Sequence, residues 1–120
     1  MKFGVVFLFA AALAVPSLAG EADVVKVDVA KEGAGSYRFD VTVRHADAGW
    51  KHYANKWEVV GPDGKILGTR VLLHPHESEQ PFTRSLSAVK IPAGVDRVTL
   101  RAYDSVHEAG GVEVEVTLPK

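Results

Sequence analysis

From residue 25 onward, apolar and polar residues alternate with a period of two, stretch after stretch. That period belongs to a strand with one face in a core and one in water. Val25, Val27 and Val29 alternate with Lys26, Asp28 and Ala30. Tyr37, Phe39, Val41 and Val43 alternate with Arg38, Asp40, Thr42 and Arg44, the clearest strand in the chain. Further strands are predicted over 53–60, 65–73, 82–86, 98–103 and 112–118. Turn residues separate them. Pro62-Asp63-Gly64 is the most explicit: Pro sets the entry angle, Asp accepts local hydrogen bonds and Gly takes a positive φ. No stretch after residue 20 keeps a helical period. Seven short strands in about a hundred residues predict a seven-stranded immunoglobulin/fibronectin-III-like β-sandwich. Trp57 falls on the third strand, where such folds bury a Trp, and Tyr103 is a candidate core tyrosine late in the sixth.

The first residues read differently. Lys2 is followed by an uncharged apolar run over 3–15, then Pro16-Ser17-Leu18-Ala19 with small residues at −3 and −1 of a cut after Ala19. This is the layout of a cleaved signal peptide over 1–19, leaving a β-sandwich domain over 20–120. The run is short for a membrane span, which disfavours the alternative of an uncleaved anchor. The chain has no Cys, so a lipid attached to a cysteine at the cut is not expected. Loss of Lys2 takes Lys+Arg from 14 to 13 against 15 Asp+Glu, so the net charge falls from −1 to −2. A slightly acidic exported domain is a poor partner for nucleic acid or anionic membranes. The expected compartment is periplasmic or extracellular, with no membrane insertion after the cut.

Loop order gives the most specific functional clue. In a seven-stranded sandwich, successive loops alternate between the two ends. His45 and His52 fall in the loop between the second and third strands, His74 and His76 between the fourth and fifth, and His107 between the sixth and seventh. All five therefore meet at one end. Neutral imidazole ligates Zn(II) and Cu(II). In extended chain His74 and His76 face the same side, with Cα atoms about 6–7 Å apart. Asp47, Glu77, Glu79, Asp104 and Glu108 lie in the same loops and are candidate ligands or partners of ligands. The only Met is Met1, and with no Cys the domain offers nitrogen and oxygen donors alone. Cu(II) or Zn(II) is then the expected ion, with His74 and His76 at the centre and His45, His52 and His107 completing the set. The alternative is that these are surface loop residues that brace the loops.

Other patterns are weaker. Trp50, Tyr53 and Trp57 concentrate aromatic surface near the same end, and Trp50, between Gly49 and Lys51, is the candidate anchor for a protein partner. A metal-free protein-interaction module using this end is the rival reading. Arg84 needs a carboxylate if it faces inward, and Glu79 or Glu58 can supply it. Asp104, Ser105 and His107 are the residue types of a hydrolase triad, but too close in sequence for its geometry. No enzymatic activity is expected. The residue after the cut is Gly20, so a copper chelate led by an amino-terminal histidine is not available.

The stretch Trp57-Glu58-Val59-Val60, followed by Leu73-His74-Pro75-His76-Glu77-Ser78-Glu79-Gln80-Pro81-Phe82-Thr83-Arg84-Ser85, resembles a family of small, uncharacterised exported proteins of proteobacteria with an immunoglobulin-like sandwich. The resemblance covers most of residues 20–120. It implies a periplasmic location, makes 74–84 the signature element and implies no activity.

Overall fold

The alternating stretches need a surface to bury one face against, and two sheets supply it to each other. The computed structural model describes residues 20–120; the expected signal peptide lies outside the described residues. Eight strands follow in order: β1 (Asp23–Gly33), β2 (Ser36–Arg44), β3 (Ala54–Val60), β4 (Ile66–Val71), β5 (Phe82–Lys90), β6 (Arg97–Asp104), β7 (Glu108–Ala109) and β8 (Val114–Thr117). One sheet has the order β1-β2-β5. The other runs β4-β3-β6, with β7 and β8 pairing successive parts of β6. All pairings are antiparallel. The domain is the expected all-β sandwich.

Trp57, Phe39, Phe82, Leu100, Val41 and Val59 fill the space between the sheets. Trp57 is central, with β3 flanked by β4 at Arg70 and β6 at Ala102. The Pro62-Asp63-Gly64 turn works as its residues require: Gly64 has φ 85, and Asp63 Oδ1 accepts the Lys65 N–H at 3.0 Å.

Three differences from the sequence expectation have local causes. β1 continues to Gly33 because Ala30, Lys31 and Gly33 pair with β2 while exposed to solvent, so no apolar face marks this end. β5 runs on to Lys90 through Ala88, which has φ 57 and gives its N–H to Glu32 Oε1 at 2.9 Å. That irregularity hides the alternation. The extra strand, β7, has only two residues. It pairs Glu108 with Asp104 and Ala109 with Tyr103, and so anchors the loop that carries His107.

Candidate metal centre

Asp104 is the last residue of β6, where the strand gives way to a turn. Its Oδ1 accepts the backbone N–H groups of Val106 (3.1 Å) and His107, the usual way an Asp closes a turn on itself. That leaves Oδ2 facing the end of the sandwich, where three imidazoles meet it. His45 Nε2 lies at 2.9 Å, His52 Nε2 at 3.0 Å and His107 Nδ1 at 2.8 Å. Their loops follow β2 and β6, which belong to different sheets. The His45 and His52 rings meet edge to face at 4.8 Å, and His107 lies 5.0 Å from His52. The Asp104 and His45 side chains are fully buried, while His52 and His107 keep 30% of their side-chain surface in water. The cluster is thus closed on the core side and open on the other.

Burial pushes the Asp104 carboxyl up. Hydrogen bonds from the His107 side chain and backbone, then from His52 and His45, outweigh it and hold the group far below the usual carboxylate range. Asp104 is an anion. Its hydrogen bond in turn raises His107 above the ordinary histidine value, against the opposing effect of desolvation.

His45 is bound at both nitrogens. Its Nδ1 is 2.5 Å from Asp47 Oδ1, opposite the Asp104 contact. A neutral imidazole carries one N–H and can donate to only one of two carboxylates. The Asp47–His45–Asp104 line therefore needs one additional proton, or a cation in its place. Asp47 also accepts the Ala54 N–H at 3.0 Å and the His76 N–H at 2.6 Å, so one carboxylate ties three chain segments together.

His74 and His76 have other surroundings. His76 is buried and stacks on Phe82, with ring centroids 3.9 Å apart and planes at 10°. Its Nε2 lies 2.9 Å from Arg84 Nη2, and a guanidinium can only donate, so that lone pair is occupied. Its Nδ1 is buried without a hydrogen-bond partner, 4.0 Å from Asp47 Oδ2. His74 is exposed, its Nδ1 3.0 Å from the Pro75 carbonyl and its ring 4.6 Å from that of His76. Arg84 has the expected carboxylate, Glu79, at 3.3 Å, while Glu58 accepts from the Tyr103 hydroxyl at 2.8 Å. Trp50 is 66% exposed and leans edge-on against Tyr53. The Ser105 hydroxyl donates to the Lys51 carbonyl at 3.2 Å and accepts the Tyr53 N–H at 3.1 Å, which places it in the loop's own bracing.

Burial, then the Arg84 charge, then His74 keep His76 below the ordinary histidine value. The folded state thus holds fewer protons at this site than the unfolded chain once pH falls past the unfolded value near 6.5. Its contribution is present above that pH and is lost as pH drops toward the folded-state value. In urea titrations with EDTA between pH 7.5 and 5.5, His76→Gln is expected to lose less stability on acidification than the parent. Parallel pH profiles for the two proteins would refute this assignment.

The carboxylate at the centre of the cluster was one of five acidic candidates in the sequence. The signal that singles it out is its place at a strand end, three residues before His107. Among the described residues, His45, His52 and Asp104 offer ligand atoms that all lie within 4.8 Å of one another. Comparison with known proteins finds a relative in the archaeon Halomicrobium mukohataei, named "Putative lipoprotein", 42% identical over 91 residues. The match takes in 76% of this chain and 44% of that protein, so the chain spans less than half its relative's length. No family model and no solved structure matches the chain.

Proposed function

We propose that this domain binds a divalent metal ion, Zn(II) or Cu(II), at His45, His52 and Asp104, with His107 at the rim. The observation that carries this reading is the convergence of three imidazole nitrogens on one buried carboxylate oxygen at 2.8–3.0 Å. Ligands of a tetrahedral ion with bonds of about 2.0–2.1 Å sit roughly 3.3 Å from one another. The imidazole-to-carboxylate spacings fall a few tenths of an ångström short of that, and the three ligand atoms as a set lie within 4.8 Å of one another, so the rings must rotate to close on an ion. A cation also answers the charge count around His45, since it replaces the proton that the line of two carboxylates demands. Asp47 would orient His45 from behind, as the outer carboxylates of metal sites do. His74 and His76, the centre expected from the sequence, become a bracing pair on Arg84 and Phe82.

The setting we propose is the periplasm or cell exterior, as a binding or accessory protein with no catalytic role. Supporting this are the leader-like residues 1–19 and a relative whose name denotes a lipoprotein. A second reading, docking of a protein partner at the same end, is favoured by Trp50, Leu73 and Val106, large exposed apolar residues on three loops of that end.

Calorimetric titration with Zn²⁺ and Cu²⁺ tests the first reading. The parent should bind one ion more tightly than about 10 μM, releasing protons as it does so. His45→Ala/His52→Ala should abolish binding, and His74→Ala/His76→Ala should leave it within a few-fold. Parent binding weaker than about 10 μM removes the proposal, and loss confined to the second double variant moves the site to His74 and His76.

A further inference from the structure

We infer that cleavage after Ala19 completes this metal site, because it delivers the α-amine of Gly20 to His52 and His107 as a further nitrogen ligand. The inference rests on the metal reading above and on the cut expected from the sequence. Its structural basis is the position of Gly20. A β-carbon built there would lie 3.4 Å from His52 Cε1, 3.5 Å from His107 Cε1 and 3.9 Å from His52 Nε2. Bond geometry then puts the Gly20 nitrogen at most about 6 Å from both ring carbons. The residue that the expected cut makes the new terminus lies beside the histidine cluster.

The segment behind Gly20 is held firmly. Ala22 is buried, Val24 N–H donates to the Val112 carbonyl at 2.9 Å and Asp23 Oδ1 accepts the Val112 N–H at 2.8 Å. Two glycines make room for this approach. A side chain at Gly111 would overlap the Ala22 carbonyl oxygen, and one at Gly110 would come within 2.9 Å of Glu21 Cγ. The terminus is thereby kept over the rings by contacts that do not depend on the metal.

The cut changes the chemistry of one atom. In the precursor, the Gly20 nitrogen is an amide whose lone pair is delocalised into the carbonyl of Ala19, and it is no ligand. Leader peptidase adds water across the Ala19 C–Gly20 N bond. Ala19 departs with a carboxylate and Gly20 retains the nitrogen as a primary amine, with an ordinary pKa of about 7.7–8.0. That lone pair is available to a metal near neutral pH. The donor set becomes the amine, imidazoles and Asp104, and it exists only after export.

The test uses the full gene expressed with its own leader, the processed protein being purified and its intact mass measured. One portion is acetylated with acetic anhydride near pH 6.5, where the α-amine reacts while lysines, with pKa about 10.4, stay protonated. A second sample carries one glycine inserted between Ala19 and Gly20, which moves the amine outward by one residue. Both samples should bind Cu²⁺ about tenfold or more weakly than the unmodified protein, and the Cu(II) electron paramagnetic resonance spectrum should lose one nitrogen coupling. Equal affinities and spectra across the three, with tight binding throughout, overturn the inference and leave the metal site standing. Binding weaker than about 10 μM in all three brings down the metal reading itself. A mature mass that does not begin at Gly20 overturns the inference directly.

Discussion

Asp104→Ala is expected to abolish metal binding and, in metal-free protein, to cost about 3–5 kcal/mol of unfolding free energy. The size follows from the number of groups that lose their partner. Three imidazole nitrogens and two backbone N–H groups converge on this one buried carboxylate. Removing it strands His45 in a fully buried position with an acceptor at only one nitrogen. Asp104→Asn separates the two effects. The amide keeps the shape and an oxygen for the turn N–H groups, so it should cost less stability, yet it withdraws the negative charge and the ligand oxygen together. Urea unfolding in EDTA, set beside calorimetry with Zn²⁺, measures both. A loss below about 1 kcal/mol for the alanine variant would mean that water replaces the carboxylate at little cost, and that the cluster is not organised around Asp104.

Trp57→Ala should be similarly severe, about 3–5 kcal/mol, for a different reason. Trp57 has no exposed surface and is the largest fully buried side chain of the domain. Truncation leaves a cavity between two sheets whose backbones are fixed by their ladders, so little of the volume can collapse. Trp57→Phe is the informative companion. The indole Nε1 is buried without a hydrogen-bond partner, so phenylalanine sacrifices volume and no polar contact. Its loss should be clearly smaller than that of alanine by thermal or urea unfolding. Equal losses would show that the indole N–H holds a bond that matters. Because β3 leads out of the His52 loop and packs beside β6, which ends at Asp104, the alanine variant should also weaken metal binding.

The fold was legible because each strand carries its own evidence. In β2, Tyr37, Phe39, Val41 and Val43 are buried while their neighbours are not, as the alternation required. Trp57 is in the core and Trp50 is exposed, each as its neighbourhood suggested. Strand ends were less legible where pairing continues without an apolar face, as at Lys31 and Gly33, or through an irregular residue such as Ala88. β7 could not be read at all, because two residues hold no period.

The site was legible only in part. Counting strands brought five histidines to one end, but it ranked His74 and His76 first on the strength of their spacing. Spacing says where Cα atoms fall. It does not say which lone pairs are already engaged, and His76 Nε2 faces a guanidinium from a neighbouring strand.

By itself, the sequence determined the β class, the turns and the loop in which each histidine sits. These depend on residues a few positions apart: side-chain alternation, proline and glycine geometry, and local hydrogen bonding. Within residues 20–120 it also limited the donors to nitrogen and oxygen. Which donors share an atom was decided by tertiary structure alone. His45 and Asp104 are 59 residues apart, and they meet because two different sheets end at the same level and Asp47 and Asp104 pull their loops together. No local pattern encodes a contact of that kind, since it exists only once both sheets have packed around Trp57.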